Sequence, residues 1–226
     1  MFENKYGKLL TGLLIAGIVV IVAVLIFLGV QLIQSNTVQT GAEDAFDDFQ
    51  TMLNAQKENV MTNEQNTELT APIIGVNDMV VSGGNTTNDN EMEYEGFPMV
   101  GTIEIPATDL KSPILKEASR DSIKVAIAVY NDSGPGLNQV GNTVLVGHNY
   151  RNGTFFSDNK KLVEGDKIYI TDATGNRVEY TIYNTYITSP EDSSYIDRDT
   201  GGRREISLTT CTDDTNSRLV IWATAD

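Results

Sequence analysis

Three residues of this 226-residue chain carry side chains that together could carry out acyl transfer. The chain has one cysteine, Cys211, and one histidine, His148, and Arg218 follows the cysteine after six intervening residues. A thiolate can attack a carbonyl carbon, a histidine can donate a proton to the leaving amine, and a guanidinium can stabilise the developing oxyanion. Each residue also has an ordinary interpretation: an inert buried thiol, a turn histidine and a solvated charge. Residue chemistry alone leaves both interpretations open.

All three residues fall at the ends of predicted strands. The strands are EISLTTC (205–211), RLVIWATA (218–225) and NTVLVGH (142–148). Their content of Val, Ile and Thr, with alternation in several, is typical of β-structure. If the first two strands pair as a hairpin, Cys211 and Arg218 lie near each other beside the connecting loop. The sequence does not show that His148 reaches the same place.

The rest of the region after Phe97 also consists mostly of short predicted strands. These are VGTIEI (100–105), DKIYITDA (166–173) and VEYTIYNTYI (178–187), the last two joined by a turn at Thr174-Gly175-Asn176. Two helices are predicted, Ser119–Val129 and Phe155–Leu162, with Thr154 as the N-cap of the second. Six or more strands in about 130 residues indicate a mainly β domain, a barrel or a sandwich.

The N-terminal region reads as a membrane anchor. Residues 9–33 are almost wholly apolar. This run is longer than the roughly 20 residues that span a hydrocarbon core as a helix. A cleavable signal peptide is the alternative, but its apolar core is only about 7–15 residues long. Lys5 and Lys8 precede the span, so the positive-inside rule predicts a cytoplasmic tail at residues 1–8 and an exported remainder.

The acidic charge of the chain is concentrated between the anchor and the β-domain. The formal net charge is −15, and residues 41–95 contain 12 acidic residues against the single basic Lys57. We predict a juxtamembrane helix that continues the anchor and then a flexible acidic stalk within 34–96, followed by a folded domain at 97–226. This charge argues against a nucleic-acid partner. The lone cysteine excludes an intramolecular disulfide and a multi-cysteine zinc site.

Several segments resemble the motifs of the sortase family, across roughly residues 97–225. Ser207–Cys211 (SLTTC) resembles the signature Thr-Leu-x-Thr-Cys, with Ser in place of the first Thr. The segment RLVI (218–221) is similar to the sortase arginine strand, and VLVGHN (144–149) to the strand that delivers the histidine. GTIEIP (101–106) resembles the opening strand, and LVEGD (162–166) the turn into a middle strand.

This resemblance implies an eight-stranded sortase barrel with one or two short helices. It implies Cys211 as nucleophile, His148 as general acid/base and Arg218 as the group that holds the oxyanion or the substrate. Thr210 is implied as a second contact to the intermediate. The expected substrates are exported proteins with a C-terminal sorting signal of the Leu-Pro-x-Thr-Gly type, cleaved between Thr and Gly. The expected acceptor is an amine of a peptidoglycan precursor or a pilin.

The resemblance also places substrate recognition in the segment 189–204. Substrate-binding candidates within it are Ser189, Tyr195, Gly201 and Gly202, the glycines as points of movement, although an ordinary surface loop is the alternative. No cofactor is expected. The alternative is a calcium ion, for which Asp132, Glu191 and Asp192 are the candidate ligands.

The subclass and two alternative functions stay open at this point. Only 63 positions separate His148 from Cys211, too few for the extra helix of class B sortases. Neither the lid motif nor the second span of class C enzymes is found, so a class A-like or class D-like enzyme is predicted. The alternatives are a membrane-tethered β-domain that binds a partner without catalysis, and a cysteine peptidase that releases its acyl-enzyme to water.

Overall fold

The computed structural model of the chain describes residues 3–65, 92–130 and 133–225. Nine strands lie among them: β1 (Glu93–Tyr94), β2 (Phe97–Ile105), β3 (Leu110–Leu115), β4 (Ile127–Val129), β5 (Gly141–Val146), β6 (Lys167–Asp172), β7 (Arg177–Thr188), β8 (Arg204–Cys211) and β9 (Arg218–Thr224). Two α-helices, α1 (Glu3–Gln65) and α2 (Ser122–Val125), and two 3₁₀ turns, Pro106–Thr108 and Asn159–Lys161, complete the described elements.

The sheet closes on itself. The strand order is β1-β2-β3-β4-β5-β8-β9-β7-β6, and a further pairing of β6 with β2 joins the two ends. Strands β2 to β9 therefore form an eight-stranded barrel, to which β1 adds a two-residue pairing with β2. The closure brings two backbones close together: a Cβ at Gly101 would lie 2.3 Å from the carbonyl oxygen of Thr171. The mainly β barrel is confirmed, and the sandwich is excluded.

The barrel interior is built from alternate residues of neighbouring strands. Leu145 pairs with Leu208, and Leu208 with Ile221, so that three fully buried side chains stand at one level of the barrel. The residues between them point to the outer face of the same strands, because successive strand side chains alternate. This alternation decides which residues of β5, β8 and β9 can form a site together.

The six predicted strands are confirmed, and both predicted helices need correction. Only Ser122–Val125 is helical within 119–129, and Ile127–Val129 forms β4, parallel to β3. A short, continuous apolar run such as VAIAV (125–129) fits a buried strand as well as a helix. Within 155–162 only the 3₁₀ turn Asn159–Lys161 forms.

The expected start of that second helix adopts a different conformation. Thr154 does not cap a helix, because its hydroxyl donates to Asn152 Oδ1 at 2.8 Å. Phe155 has a left-handed backbone (φ +49°) and forms a β-bridge with Asn149. Burial of Phe155 and Phe156 outweighs the helical tendency of this segment.

Helix α1 runs through two compact units, residues 1–41 and 42–226. In the first unit, Gly12–Val30 is a 19-residue candidate membrane span, and none of it is buried. As a helix it is about 28 Å long, close to the thickness of a hydrocarbon core. Its length and composition are compatible with a membrane anchor. The prediction that the helix continues beyond residue 34 is confirmed.

In the second unit, the later part of α1 packs against the barrel. Phe46, Phe49 and Leu53 form the buried side of this part of the helix, each at most 5% exposed. Phe49 and Leu53 belong to one buried cluster with Met99 of β2, Leu115 of β3, Ala126 and Ala128. The sheet begins at Glu93, a few residues before the predicted domain start, while 66–91 of the predicted stalk lie outside the described residues. The domain limits stay a prediction.

Candidate active site

Cys211 and Arg218 are direct neighbours across two antiparallel strands. They are the last paired residues of the β8–β9 hairpin, just before its connecting loop. Paired residues in antiparallel strands have Cα atoms about 5 Å apart. The hairpin predicted from the sequence is therefore confirmed, and both side chains are half-buried.

The parallel pairing of β5 with β8 brings His148 to the same level. Val146 pairs with Thr209, and the amide of Gly147 continues the pairing by donating to the Thr209 carbonyl at 3.3 Å. His148 and Cys211 each lie two residues beyond the Val146–Thr209 pair, and they are therefore level with each other, because parallel strands advance together. Alternation also places His148, Cys211 and Arg218 on one face, the outer face of these strands. The three residues share one end of that face.

The loop after His148 is held against the cysteine strand. Asn149 Nδ2 donates to the carbonyl oxygen of Cys211 at 3.0 Å. On the other side of His148 along the chain, Gly147 packs against the Phe156 ring, and a Cβ added to this glycine would lie 2.8 Å from a ring carbon. The Phe156 amide donates to the His148 carbonyl at 3.1 Å. These contacts fix the backbone on both sides of the imidazole.

The environment of His148 favours its neutral form. Burial lowers the pKa of His148 below its usual value, and the positive charge of Lys124 on α2 lowers it further. The Tyr150 ring lies beside the imidazole, with ring centroids 4.9 Å apart. A depressed pKa means that the protonated imidazole needed for general-acid chemistry is the minor species at neutral pH.

Ser189 and Glu191 lie beside Arg218. Strand β7 ends at Thr188, which pairs with Arg218 across β9, so the segment that follows starts at the cysteine end of the barrel. Ser189 is exposed, and its hydroxyl group donates a hydrogen bond to the carboxylate of Glu191. That bond lowers the pKa of Glu191, and the Arg218 guanidinium lowers it further. Ser189 is thus brought to the edge of the site.

The hydroxyl groups next to Cys211 divide between two faces. Thr210 adjoins Cys211 and points to the opposite face, whereas Thr209 shares the face of Cys211. Both are buried, and neither Oγ1 forms a hydrogen bond within the described part of the chain. A side-chain contact with a substrate on the cysteine face therefore fits Thr209 better than Thr210.

Tyr195 lies on the same outer face as Cys211, whereas Gly201 and Gly202 lie at the opposite end of that face. Tyr195 is 8% exposed and packs with Val144 and Val220 on the outer face of the barrel, away from solvent. The two glycines are exposed and precede β8, whose seven steps of about 3.3 Å separate its start from Cys211 by about 23 Å. The two glycines are therefore not brought to Cys211, and the substrate-binding role of Tyr195, Gly201 and Gly202 stays a prediction.

A buried charge network, which sequence reasoning missed, holds the segment between β7 and β8 (residues 189–203, here the strap) over the outer face. Arg198 of the strap forms an ion pair with the fully buried carboxylate of Glu205 on β8 and is itself only 10% exposed. Its guanidinium also donates to Asn142 Oδ1 at 3.0 Å and stacks on Trp222, 4.5 Å from the ring centroid. One side chain thus ties the strap to β5, β8 and β9.

A tyrosine completes this network. Tyr183 of β7 donates to Glu205 Oε2 at 2.7 Å and accepts a hydrogen bond from Arg198 at 2.9 Å. Burial, together with the bond to Glu205, raises the pKa of Tyr183 to about 12. The phenol therefore stays protonated as a donor to Glu205. No local sequence signal could have linked these residues, since they come from separate elements.

Two of the three suggested calcium ligands accept hydrogen bonds from neighbouring hydroxyl groups, and the third is not described. Glu191 accepts from Ser189, and Asp192 Oδ2 accepts from Thr188 at 2.5 Å, while Asp132 lies outside the described residues. Across the described ranges, no group of three or more His, Cys, Asp or Glu side chains is arranged to hold a metal ion.

Comparison with known proteins identifies the family. Residues 103–226 match the Sortase domain family, which is more than half of the chain. The chain is 33% identical over 129 residues to Sortase A of Bacillus anthracis, an alignment that covers 54% of this chain and 58% of that protein. The protein therefore belongs to the sortase family, whose members are cysteine transpeptidases.

Solved structures agree with this assignment. Sortase A from Corynebacterium diphtheriae superposes with a TM-score of 0.52 at 26% identity, covering 57% of this chain and 62% of that one. A Clostridium perfringens Sortase D5 transpeptidase gives 0.51 at 25% identity, covering 57% and 79%. The chain spans less than two thirds of the length of the curated relatives it matches.

Proposed function

We propose that this protein is a membrane-anchored transpeptidase that cleaves a sorting signal of the Leu-Pro-x-Thr-Gly type between Thr and Gly. The observation that carries the proposal is the arrangement of the only cysteine, the only histidine and Arg218 at one end of one barrel face. A free thiol is a liability in an exported domain, where oxidants are present, so its retention beside these two partners favours a chemical role. The family assignment supports the same chemistry.

In the first half of the reaction, the Cys211 thiolate attacks the carbonyl carbon of the threonine. The carbonyl oxygen becomes an oxyanion, which the guanidinium of Arg218 stabilises from the neighbouring strand. As the tetrahedral intermediate collapses, His148 in its protonated form gives a proton to the glycine nitrogen. The C–N bond breaks, the C-terminal fragment leaves as an amine, and a thioester remains on Cys211.

In the second half, an amine attacks the thioester. Neutral His148 accepts the proton of the incoming nitrogen, the C–S bond breaks, and the thiolate is regenerated. The depressed pKa of His148 suits this step, because it favours the neutral imidazole. The acceptor is an amine of a peptidoglycan precursor or of a pilin subunit, and the donors are exported proteins that carry the signal.

The anchor gives the proposed location. Lys5 and Lys8 precede the span Gly12–Val30, so the N-terminus lies in the cytoplasm and the barrel outside the membrane. No cofactor is required by the steps above. We propose a class A-like or class D-like enzyme, because the spacing between His148 and Cys211 is too short for class B and the lid motif of class C is not found in the sequence.

The test is a reaction of the full chain in detergent with a panel of Leu-Pro-x-Thr-Gly-like peptides, with and without a glycine-based or lysine-based amine. Ligated product that depends on the amine supports the transpeptidase, and Cys211→Ala must abolish it. Cleavage to hydrolysed product alone indicates a cysteine peptidase. A folded protein that cleaves no peptide and binds a surface partner instead would overturn the proposal.

A further inference from the structure

The loop that follows Cys211 is linked to the loop that follows His148 through one carboxylate. Asp213 Oδ1 accepts a hydrogen bond from Asn149 Nδ2 at 2.9 Å, and Asp213 Oδ2 forms an ion pair with Lys160 Nζ at 2.6 Å. The backbone carbonyl of Asp213 accepts from Arg151 Nη1 at 3.0 Å. We call Asp213, Asn149, Arg151 and Lys160 the Asp213 bridge.

The bridge joins segments that no strand pairing holds together. Strand β5 ends at Val146 and β8 at Cys211, so the residues beyond them have no ladder to fix their separation. Asn149 is the central member: its amide donates to the Cys211 carbonyl as well as to Asp213, and its Oδ1 accepts from the Arg151 amide at 3.0 Å. It is the residue directly after His148, so a displacement of Asn149 moves the imidazole relative to the thiol.

We propose that Asp213 is a positioning residue that fixes His148 relative to Cys211 by holding Asn149 in place. The proposal rests on the function proposed above, in which a proton passes between His148 and the reacting nitrogen. A shift of reacting groups by about 1 Å can cost a large factor in rate. The ion pair with Lys160 is about half exposed on both sides, so its own contribution is modest. We therefore expect a loss of about tenfold in kcat.

The adjacent residue provides a matched control. Asp214 carries the same charge in the same loop, but the hydrogen bonds that its carboxylate accepts among the described residues come from within that loop, from the Thr212 hydroxyl and from Asn216. Asp214→Ala removes one negative charge from the loop, as Asp213→Ala does, and leaves the bond between Asp213 and Asn149 intact. A difference in kcat or in the His148 resonances between the two variants is therefore due to the loss of the Asp213 bridge and not to the loss of one negative charge.

The experiment uses the full chain in detergent, with an affinity tag free of histidine, so that His148 gives the only imidazole signal in a ¹H–¹⁵N NMR spectrum. In Asp213→Ala and in Asn149→Ala we expect shifted His148 resonances and a fall of about tenfold in kcat, with KM changed less than about twofold. In Asp214→Ala both stay as in the wild type. The double variant is expected to lose no more than either single variant, because the two residues act through one link.

The proposal is overturned if the His148 resonances and kcat of Asp213→Ala coincide with those of Asp214→Ala, or if the losses of the two single variants multiply in the double variant. Asp213→Asn keeps an acceptor for Asn149 and loses the charge toward Lys160, so it must shift His148 less than Asp213→Ala. If the wild type cleaves no peptide, the proposed function fails, while the His148 signals still decide whether the bridge positions the imidazole.

Discussion

At the scale of single residues, the site combines a thiol, an imidazole and a guanidinium that differ in how firmly the fold places them. Cys211 and Arg218 are fixed by strand pairing. His148 lies just beyond the end of β5 and depends on the loop around it. We therefore expect substitutions around His148 to change the position or the pKa of the imidazole. The guanidinium should be lost only when Arg218 itself is replaced.

The first prediction concerns Arg218. Removing one preorganised donor to an oxyanion costs about 10²- to 10³-fold in kcat. We expect Arg218→Ala to lower kcat by that factor, measured as peptide cleavage. The reaction of Cys211 with a small methanethiosulfonate reagent, which forms a mixed disulfide and releases methanesulfinate, needs no oxyanion and should proceed within about threefold of the wild-type rate. Equal losses in both assays would show that Arg218 acts on the thiol instead.

The second prediction concerns the charge near His148. Burial is the main cause of its lowered pKa, and the positive charge of Lys124 adds to it. Lys124→Met removes that charge, so the midpoint of the His148 titration, followed by NMR, must move upward. The acid-side limit of transpeptidation should move in the same direction. Lys161→Met, which breaks the exposed pair with Asp158, serves as control and should leave the midpoint unchanged.

At the scale of elements, the strap over the outer face depends on a buried ion pair. Breaking such a pair costs about 3–5 kcal/mol when the remaining charge has no other partner. Glu205 keeps a second ion pair, with the half-exposed Arg203 at 2.7 Å, and the hydrogen bond from Tyr183. We therefore expect Arg198→Met to lower the free energy of unfolding by about 2–3 kcal/mol, measured with denaturant, which is less than for an orphaned charge. Lys161→Met breaks an exposed pair and should cost about 0–1 kcal/mol.

A double variant distinguishes the contribution of the ion pair to stability from that of the apolar packing around it. Arg198→Met combined with Glu205→Leu removes both charges and keeps much of the apolar volume. Replacing both members of a buried pair is often close to neutral. The double variant should therefore be more stable than Arg198→Met alone. A double variant less stable than the single one would contradict this reading of the network.

An element could be predicted from the sequence when its own residues show a clear local pattern. Strands such as β7 and β8 carry enough alternation or β-branched residues to be recognised. Strand β3 was missed because Ser112 and Pro113 interrupt its apolar pattern, and β4 because its three residues sit in an apolar run that also fits a helix. The Cys211–Arg218 pairing was predictable because a hairpin is a local structure.

Other contacts of the site could not be predicted, because they are long-range. Asn149 and Asp213 are 64 residues apart, and Asp213 is one of many acidic residues in the chain. His148 was assigned through the family resemblance, since the parallel pairing of β5 with β8 has no local signature. A resemblance to one segment does not say how far along the barrel each of its residues lies, and the strap that contains Gly201 and Gly202 runs from one end of the barrel to the other.

At the scale of the whole molecule, α1 is part of the barrel unit as well as the candidate anchor. Phe49 is 1% exposed and contributes to the cluster with Met99 and Leu115, whereas Phe27 in the candidate span is 62% exposed. Phe49→Ala should lower the stability of the barrel by about 3–5 kcal/mol. Phe27→Ala, the same change on the same helix, should leave it unchanged in detergent. Equal effects would show that the helix does not stabilise the barrel.

The most direct test of the account is the capture of the covalent intermediate. The full chain, incubated with a Leu-Pro-x-Thr-Gly peptide without an added amine and quenched in acid, is examined by intact mass spectrometry. We predict an adduct equal to the peptide up to its threonine, carried on Cys211, removed by hydroxylamine and absent from Cys211→Ala. Cleavage of the peptide without any adduct on Cys211, or with activity retained in Cys211→Ala, would contradict the account.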